Sequence, residues 1–377
     1  MDCSINKINF NGYDAIKLKG FYMQGFTKSN ELSICRQIKQ IAEKEHLGFF
    51  INQNGTAIKN TIEEGLVEQG CYSLPYWAQD RKAFLRHSTD GDIIMCNYKD
   101  KPIQLPQELS SYTMWTKRIL PRGGNYFIGY KPTGEKWMII NHDTVADRVS
   151  DCGENRGLPE AISIENIKEV YDVDKENICI SNSISRDLDM LIRPIGYPYV
   201  LVNSADETLK NIEKMHKKFP QSRKIYEKLL YFSKIYVGSD RNCNKLYECL
   251  ENFGFKPIKI GGYYSEDVCF MNSIAFKNGN DKVSLISNST QYSCPELEYL
   301  QELFEKDLRE KAPEIENIYF VSGGKTTQPT FEFDRARHLQ TTRFNEYHHN
   351  VIMDFLGERL GGVHCMTAEI PDFDRII

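Results

Sequence analysis

The sequence predicts a single α/β domain. Strand-like and helix-like segments alternate along all 377 residues, with a recurrence of roughly sixty to eighty residues. No long Pro- or Ser-rich linker divides the chain. Hydrophobic residues make up 41% and charged residues 26%, which is ordinary for a globular core and too apolar for disorder.

The elements follow from periodicity. Glu31 to His46 reads as an amphipathic helix, with Leu32, Ile34, Ile38 and Ile41 on its apolar side. Phe49 to Ile51 is a short strand, Thr61 to Gly70 a second helix, and Asp92 to Tyr98 and Trp137 to Ile140 further strands. Ser163 to Tyr171 is helical and Ile178 to Ile180 a buried strand. Asp189 to Ile192 and Tyr199 to Asn203 form a strand pair across a Gly-Tyr-Pro turn. Asp206 to Lys218 and Lys245 to Phe253 are helices, and Pro257 to Ile260 is a strand. Val268 to Phe276 and Lys282 to Ser287 read as a hairpin, because Asn278-Gly279 favours a tight turn. Pro295 to Glu310 is the last long helix, before a strand at Ile318 to Val321. The polar stretch from Thr326 to Asn345 is a surface insertion or a lid over a site.

Composition narrows the function. The net charge of −5 does not suit a nucleic-acid binder, and short basic runs such as Lys217-Lys218 read as solvated helix surface. No run of eighteen apolar residues predicts a membrane span, and the first residues lack the pattern of a secretory signal. The eleven cysteines are odd in number and scattered, without a CxxC pair. They read as reduced thiols of a reducing, cytoplasmic compartment, with signal-less export left open. The eight histidines supply no zinc-ligand spacing, so neither a metal nor a cofactor is expected. P-loop, dinucleotide-binding and Ser-hydrolase motifs are absent from the sequence.

The segment that carries chemistry lies late in the chain. In Gly361-Gly362-Val363-His364-Cys365-Met366-Thr367 a Gly-Gly turn can present a sulfur without steric cover. Alone, such a cysteine is more often buried core. Three other segments stand out: Tyr76-Trp77-Ala78-Gln79-Asp80, Pro121-Arg122-Gly123-Gly124-Asn125 and Arg186-Asp187-Leu188-Asp189-Met190.

In this order the four segments resemble the motifs of the pentein superfamily, which comprises the arginine deiminases, agmatine deiminases and amidinotransferases. The resemblance spans roughly residues 70 to 370 of a single 1–377 domain. It implies an α/β propeller of about five ββαβ modules around a central site. It also implies Cys365 as nucleophile and Asp80 and Asp189 as carboxylates that grip a guanidinium. A guanidinium is planar and permanently charged, and its forked donors match carboxylates bidentately. Attack by the thiolate would give a covalent amidino-thioether. Water would resolve it in a hydrolase acting on the C–N bonds of linear amidines, and an amine in an amidinotransferase.

Three departures weigh against simple transfer, and the first is Gln79 where the family usually has Arg. Asp187 stands where the family has its proton-relay His, and Arg122 where it has the Glu that partners that His. Both are retained as candidates, Asp187 as a catalytic acid and Arg122 beside the substrate, with an Arg122–Asp187 ion pair expected in place of the Glu–His pair. Burial among like charges would raise an aspartate's pKa and let Asp187 donate a proton. The other outcome is a catalytically inactive module that binds a guanidino ligand or a protein. The substrate class is a guanidino small molecule or an arginine side chain, with no nucleic acid or membrane involved. The sequence gives no handle on oligomeric state. If residues 364 and 365 lie on an extended strand, His364 points away from the sulfur. His348 and His349 read as an exposed polar pair.

Overall fold

Strands recur in threes, in a pattern the periodicity only hints at. The computed structural model describes residues 16–24, 29–53, 56–59, 95–96, 102–103, 123–142, 145, 164–171, 173–181, 188–236, 240–265, 268–289, 294–322 and 362–371. The first unit holds β1 (Leu18–Gln24), α1 (Ser29–Lys44), β2 (Gly48–Gln53) and β3 (Thr56–Lys59). The short strands β4 (Met95–Cys96) and β5 (Pro102–Ile103) pair with each other. Next come β6 (Tyr126–Tyr130), β7 (Lys136–Asn141), α2 (Ile164–Tyr171) and β8 (Ile178–Ser181). Here β6 and β7 are antiparallel, and β8 joins β7 in parallel after α2. Parallel neighbours need such a crossover, because a tight turn can only reverse the chain.

The same order repeats twice more. β9 (Ile192–Pro194) and β10 (Tyr199–Asn203) form a hairpin. Helices α3 (Ala205–Lys218), α4 (Arg223–Tyr236) and α5 (Asp240–Asn252) then lead to β11 (Lys256–Ile260), parallel to β10. The small pair β12 (Tyr263–Ser265) and β13 (Val268–Cys269) follows. β14 (Ile274–Lys277) and β15 (Val283–Asn288) form another hairpin, and β16 (Ile315–Val321) lies parallel to β15 after α6 (Pro295–Lys311). A single helical turn, α7 (Val363–Met366), precedes β17 (Thr367–Pro371). β17 pairs antiparallel with β1, which is parallel to β2. The C-terminal strand thus completes, with the N-terminal segment, a fourth copy of the hairpin–helix–parallel-strand unit. The architecture is mixed α/β, built of several small mixed sheets with no closed barrel among the described residues.

The central sheets are covered on both faces. Along β6 and β7, Phe127, Trp137 and Ile139 join one apolar cluster with residues of β9 to β13 and α3 to α6. The alternate residues Tyr126, Ile128, Met138 and Ile140 join a second cluster with β1, α1 and β14. Alternation of side chains across the pleat sends neighbours to opposite faces. That two-sided burial explains why Met138 to Ile140 and Leu285 to Ile286 read as apolar runs without polar gaps.

A local motif marks the units. β7, β10 and β15 each end on a buried asparagine: Asn141, Asn203 and Asn288. Asn203 Oδ1 accepts the backbone N–H groups of Gly262 and Tyr263 at 2.9 and 2.8 Å. A buried N–H must find a partner, and the short amide supplies an acceptor where the ladder stops.

Several sequence expectations need correction. Asp189 lies not on a strand but in a 3-10 turn, Leu188–Met190, and the strand starts at Ile192. The expected strand from Val268 to Phe276 is broken, because residues 270 to 273 bend away between β13 and β14. The hairpin there closes with a wider loop than a two-residue Asn-Gly turn. Asn278 N–H donates to Lys282 O, and Asp281 takes the left-handed conformation at φ 57°. Asn278 Oδ1 stabilises the loop by accepting from the N–H groups of Asn280 and Lys282. Helix α4, to which the sequence reading assigns no element, buries Ile225, Leu229 and Phe232 at helical spacing. The expected helix from Thr61 to Gly70 and the stretch from Thr326 to Asn345 lie outside the described residues. No described helix is long and apolar enough to cross a membrane.

Candidate functional site

Three of the four singled-out segments converge. The turn Gly123–Asn125, the turn Leu188–Met190 and α7 pack against one another. Gly124 lies so close to Asp189 that a Cβ there would sit 3.2 to 3.3 Å from its carboxylate. Cys365 is the third residue of α7, the helical turn that starts after Gly362. The extended case, in which His364 would point away from the sulfur, therefore does not apply. In a helical turn, successive side chains project about 100° apart rather than oppositely. Asp80, Arg122 and Asp187 lie outside the described residues, as do His348 and His349, so the expected Arg122–Asp187 ion pair falls there too.

Asp189 is completely buried. Its Oδ2 lies 2.8 Å from His364 Nδ1 and accepts from Asn272 Nδ2 at 2.7 Å. The orientation of Asn272 is fixed by its other contact. Its Oδ1 accepts the His364 backbone N–H at 3.0 Å, and a backbone N–H can only donate. The amide nitrogen is therefore the atom facing Asp189. Asn288 repeats the logic one residue earlier. Its Oδ1 accepts the Val363 N–H at 2.8 Å, and its Nδ2 donates to Cys269 O and Asn272 O at 2.8 and 3.0 Å. The first N–H groups of a helix have no partner inside it, and here two asparagines supply one each.

The surroundings are strongly polar yet fully buried. Asp189, Arg193, His364 and Glu369 are all fully buried. Arg193 stacks its guanidinium over the Phe127 ring at 4.7 Å, and that ring lies 5.6 Å from the imidazole. Glu369 Oε1 is 3.9 Å from His364 Nε2. Burial, and then the Arg193 charge, hold the His364 pKa well below its ordinary value of 6.5. The carboxylate at 2.8 Å pulls the other way. We take His364 as neutral, because a neutral imidazole already donates Nδ1–H to Asp189 and a second buried cation beside Arg193 would repel.

The sequence reading names Asp189 and Cys365 but not Asn272, Asn288, Arg193 or Glu369. Arg193 carries a visible signal, a charged residue inside the apolar run Leu191 to Ile195. No group of three metal-ligating side chains occurs among the described residues. Cys35, Cys179, Cys249, Cys269 and Cys294 form no disulfide.

No protein-family model and no curated protein matches the chain. Among solved structures, an agmatine deiminase variant of C. jejuni with substrate bound is similar at 12% identity and a TM-score of 0.45, covering 97% of this chain and 96% of that one. An agmatine deiminase of Enterococcus faecalis, described as catalyzing its reaction, is similar at 10% identity and a TM-score of 0.44, covering 97% and 96%. Both of these neighbours are agmatine deiminases.

Proposed function

We propose that the chain is a cysteine-dependent enzyme that modifies a guanidino group, with Cys365 as nucleophile. One observation carries the reading: the turn bearing Cys365, the Gly123–Asn125 turn and the buried Asp189 meet at one place, although the chain separates them widely. On this reading Asp80 and Asp189 orient the guanidinium so that its central carbon faces the thiolate. A C–S bond forms and a C–N bond breaks. The leaving nitrogen takes a proton, with Asp187 in its acid form as donor, and Arg122 lies beside the substrate. Water then attacks the amidino-thioether, a C–O bond forms, and the thiol is released with a ureido product. On this reading the hairpin–helix–parallel-strand units described above belong to an α/β propeller of about five such modules around the site.

A second reading has support of its own. Asp189 Oδ2 already accepts from two side chains, and Asp187 and Arg122 replace the relay pair. A module that binds a guanidino ligand without turning it over fits those facts.

Labelling with chloroacetamidine separates the two. The probe mimics a guanidinium and alkylates a thiolate held beside carboxylates. Cys269 and Cys294 add little background, because burial pushes their thiols up to about 12 and leaves them protonated at neutral pH. The enzyme reading expects one adduct, mapped to Cys365, that is lost with a guanidino competitor or in Asp80→Ala. An adduct absent from Cys365, or spread over several cysteines, refutes it in favour of the binding module.

A further inference from the structure

We infer that Asp189 is a positioning residue for Cys365, acting through His364 as a latch on the α7 turn. The inference rests on the reading of Cys365 as nucleophile, and it adds to Asp189 a task besides contact with a guanidinium.

The argument starts from the turn itself. One turn of helix has no intrinsic stability, since fixing its backbone costs more than its single hydrogen bond returns. Something outside must hold residues 363 to 366 in helical form. Asn288 and Asn272 hold the first two N–H groups. The side chain of His364 adds a third anchor through Nδ1–H to Asp189. Asn272 ties the anchors together, because it bonds both the His364 backbone and the Asp189 carboxylate. The His364 ring is fully buried against Phe127, so the anchor closes on the side of the turn away from solvent. Cys365 follows directly in the chain, so a shift of its backbone pulls on this latch. A nucleophile displaced by a fraction of an ångström loses much of its rate, which makes such anchoring consequential for catalysis.

The latch makes a demand on side-chain geometry that bulk or polarity alone does not meet. Asparagine at 364 carries an amide nitrogen about where Nδ1 lies, whereas glutamine carries one about where Nε2 lies. We would therefore compare His364→Phe, His364→Gln, His364→Asn, Asp189→Leu and the Asp189→Leu/His364→Phe double variant in the full chain. Two readouts are followed: hydrogen exchange of the peptide spanning Val363 to Thr367, and the rate of Cys365 alkylation by chloroacetamidine and by iodoacetamide.

With the latch broken in His364→Phe, His364→Gln or Asp189→Leu, exchange of this peptide speeds up by about tenfold or more, as expected when a local opening loses a buried hydrogen bond. Chloroacetamidine labelling falls by a similar factor, while iodoacetamide labelling, which needs no positioning, does not fall. His364→Asn stays near the parent in both, and the double variant is no worse than the worse single, as for two groups acting as one. Unchanged exchange in His364→Phe and His364→Gln, or an Asn variant as impaired as the Gln variant, overturns the latch. If the parent takes no chloroacetamidine but exchange responds as described, the guanidino reading fails and the latch stands.

Discussion

Replacing Gly362 with alanine tests the site where its tolerance is smallest. Gly362 has φ −104° and ψ −170°, a backbone any residue adopts, so strain does not explain the glycine. Space does. A Cβ there would overlap Asn272 Oδ1 and lie 2.5 Å from Asn288 Nδ2 and 2.7 Å from Asn272 Cγ. Both asparagines are buried and each is committed to more than one bond, so neither can swing aside freely. Forcing one methyl into such a contact costs about 1–3 kcal/mol. If the Asn272 amide moves, the buried N–H of His364 loses its acceptor, at about another 1–3 kcal/mol. We expect a total near 3 kcal/mol, visible as a fall in Tm of about 4 °C for a chain of this length. Differential scanning calorimetry measures it, with Gly279→Ala as control because nothing lies within 4 Å of a Cβ there. Hydrogen exchange at Val363 and His364 should rise together with the fall in Tm. A Gly362→Ala protein that melts with the parent and keeps those amides protected refutes the crowded clamp, and with it the packing described around α7.

Two further outcomes are expected. A His kept neutral in the fold resists protonation that the unfolded chain accepts, so as pH falls below 6.5 the unfolded state binds the extra proton and stability drops. The contribution is fully present above that pH and is lost at up to about 1.4 kcal/mol per pH unit below it. The groups facing His364 are Asp189, Arg193 and Glu369, so chemical denaturation from pH 7.5 to 5 is compared with His364→Asn, and a parent slope no steeper than the variant's contradicts the assignment. Asn203→Ala leaves the Gly262 and Tyr263 N–H groups without their acceptor and should cost about 2–4 kcal/mol in urea unfolding. Chloroacetamidine labelling at Cys365 should persist in that variant below the transition, and its loss would mean that Asn203 reaches the site.

Much of the fold is legible because helices α1, α3, α5 and α6 and strands β2, β7, β10 and β11 carry their period in the sequence. The failures have common causes. Asp189 sits among apolar neighbours and reads as strand, but its carboxylate is held by tertiary partners distant in the chain, and these favour a tight turn over extension. Residues 363 to 366 look extended for the same reason. Their helical turn is held by partners far away in the chain, Asn288 and Asn272 on its first N–H groups and Asp189 on the His364 ring. Helix α4 is obscured by aromatic residues at Tyr226, Tyr231 and Phe232, which suit a strand as well.

The pairing of β1 with β17 is the feature no local pattern could announce, and it bears directly on the site. Glu369 of β17 lies opposite Phe21 of β1, and its carboxylate approaches the His364 imidazole. The strand that closes the N-terminal sheet thus begins immediately after α7, at Thr367. The Cys365 turn is clamped on one side by asparagines from the β14–β15 unit and tethered on the other by the N-terminal sheet. The position of the sulfur-bearing residue is therefore set by at least two structural units at once. That explains the otherwise costly collection of buried asparagines and charged groups here: apolar packing would hold the turn in the fold, but only directional bonds fix its register against both neighbours.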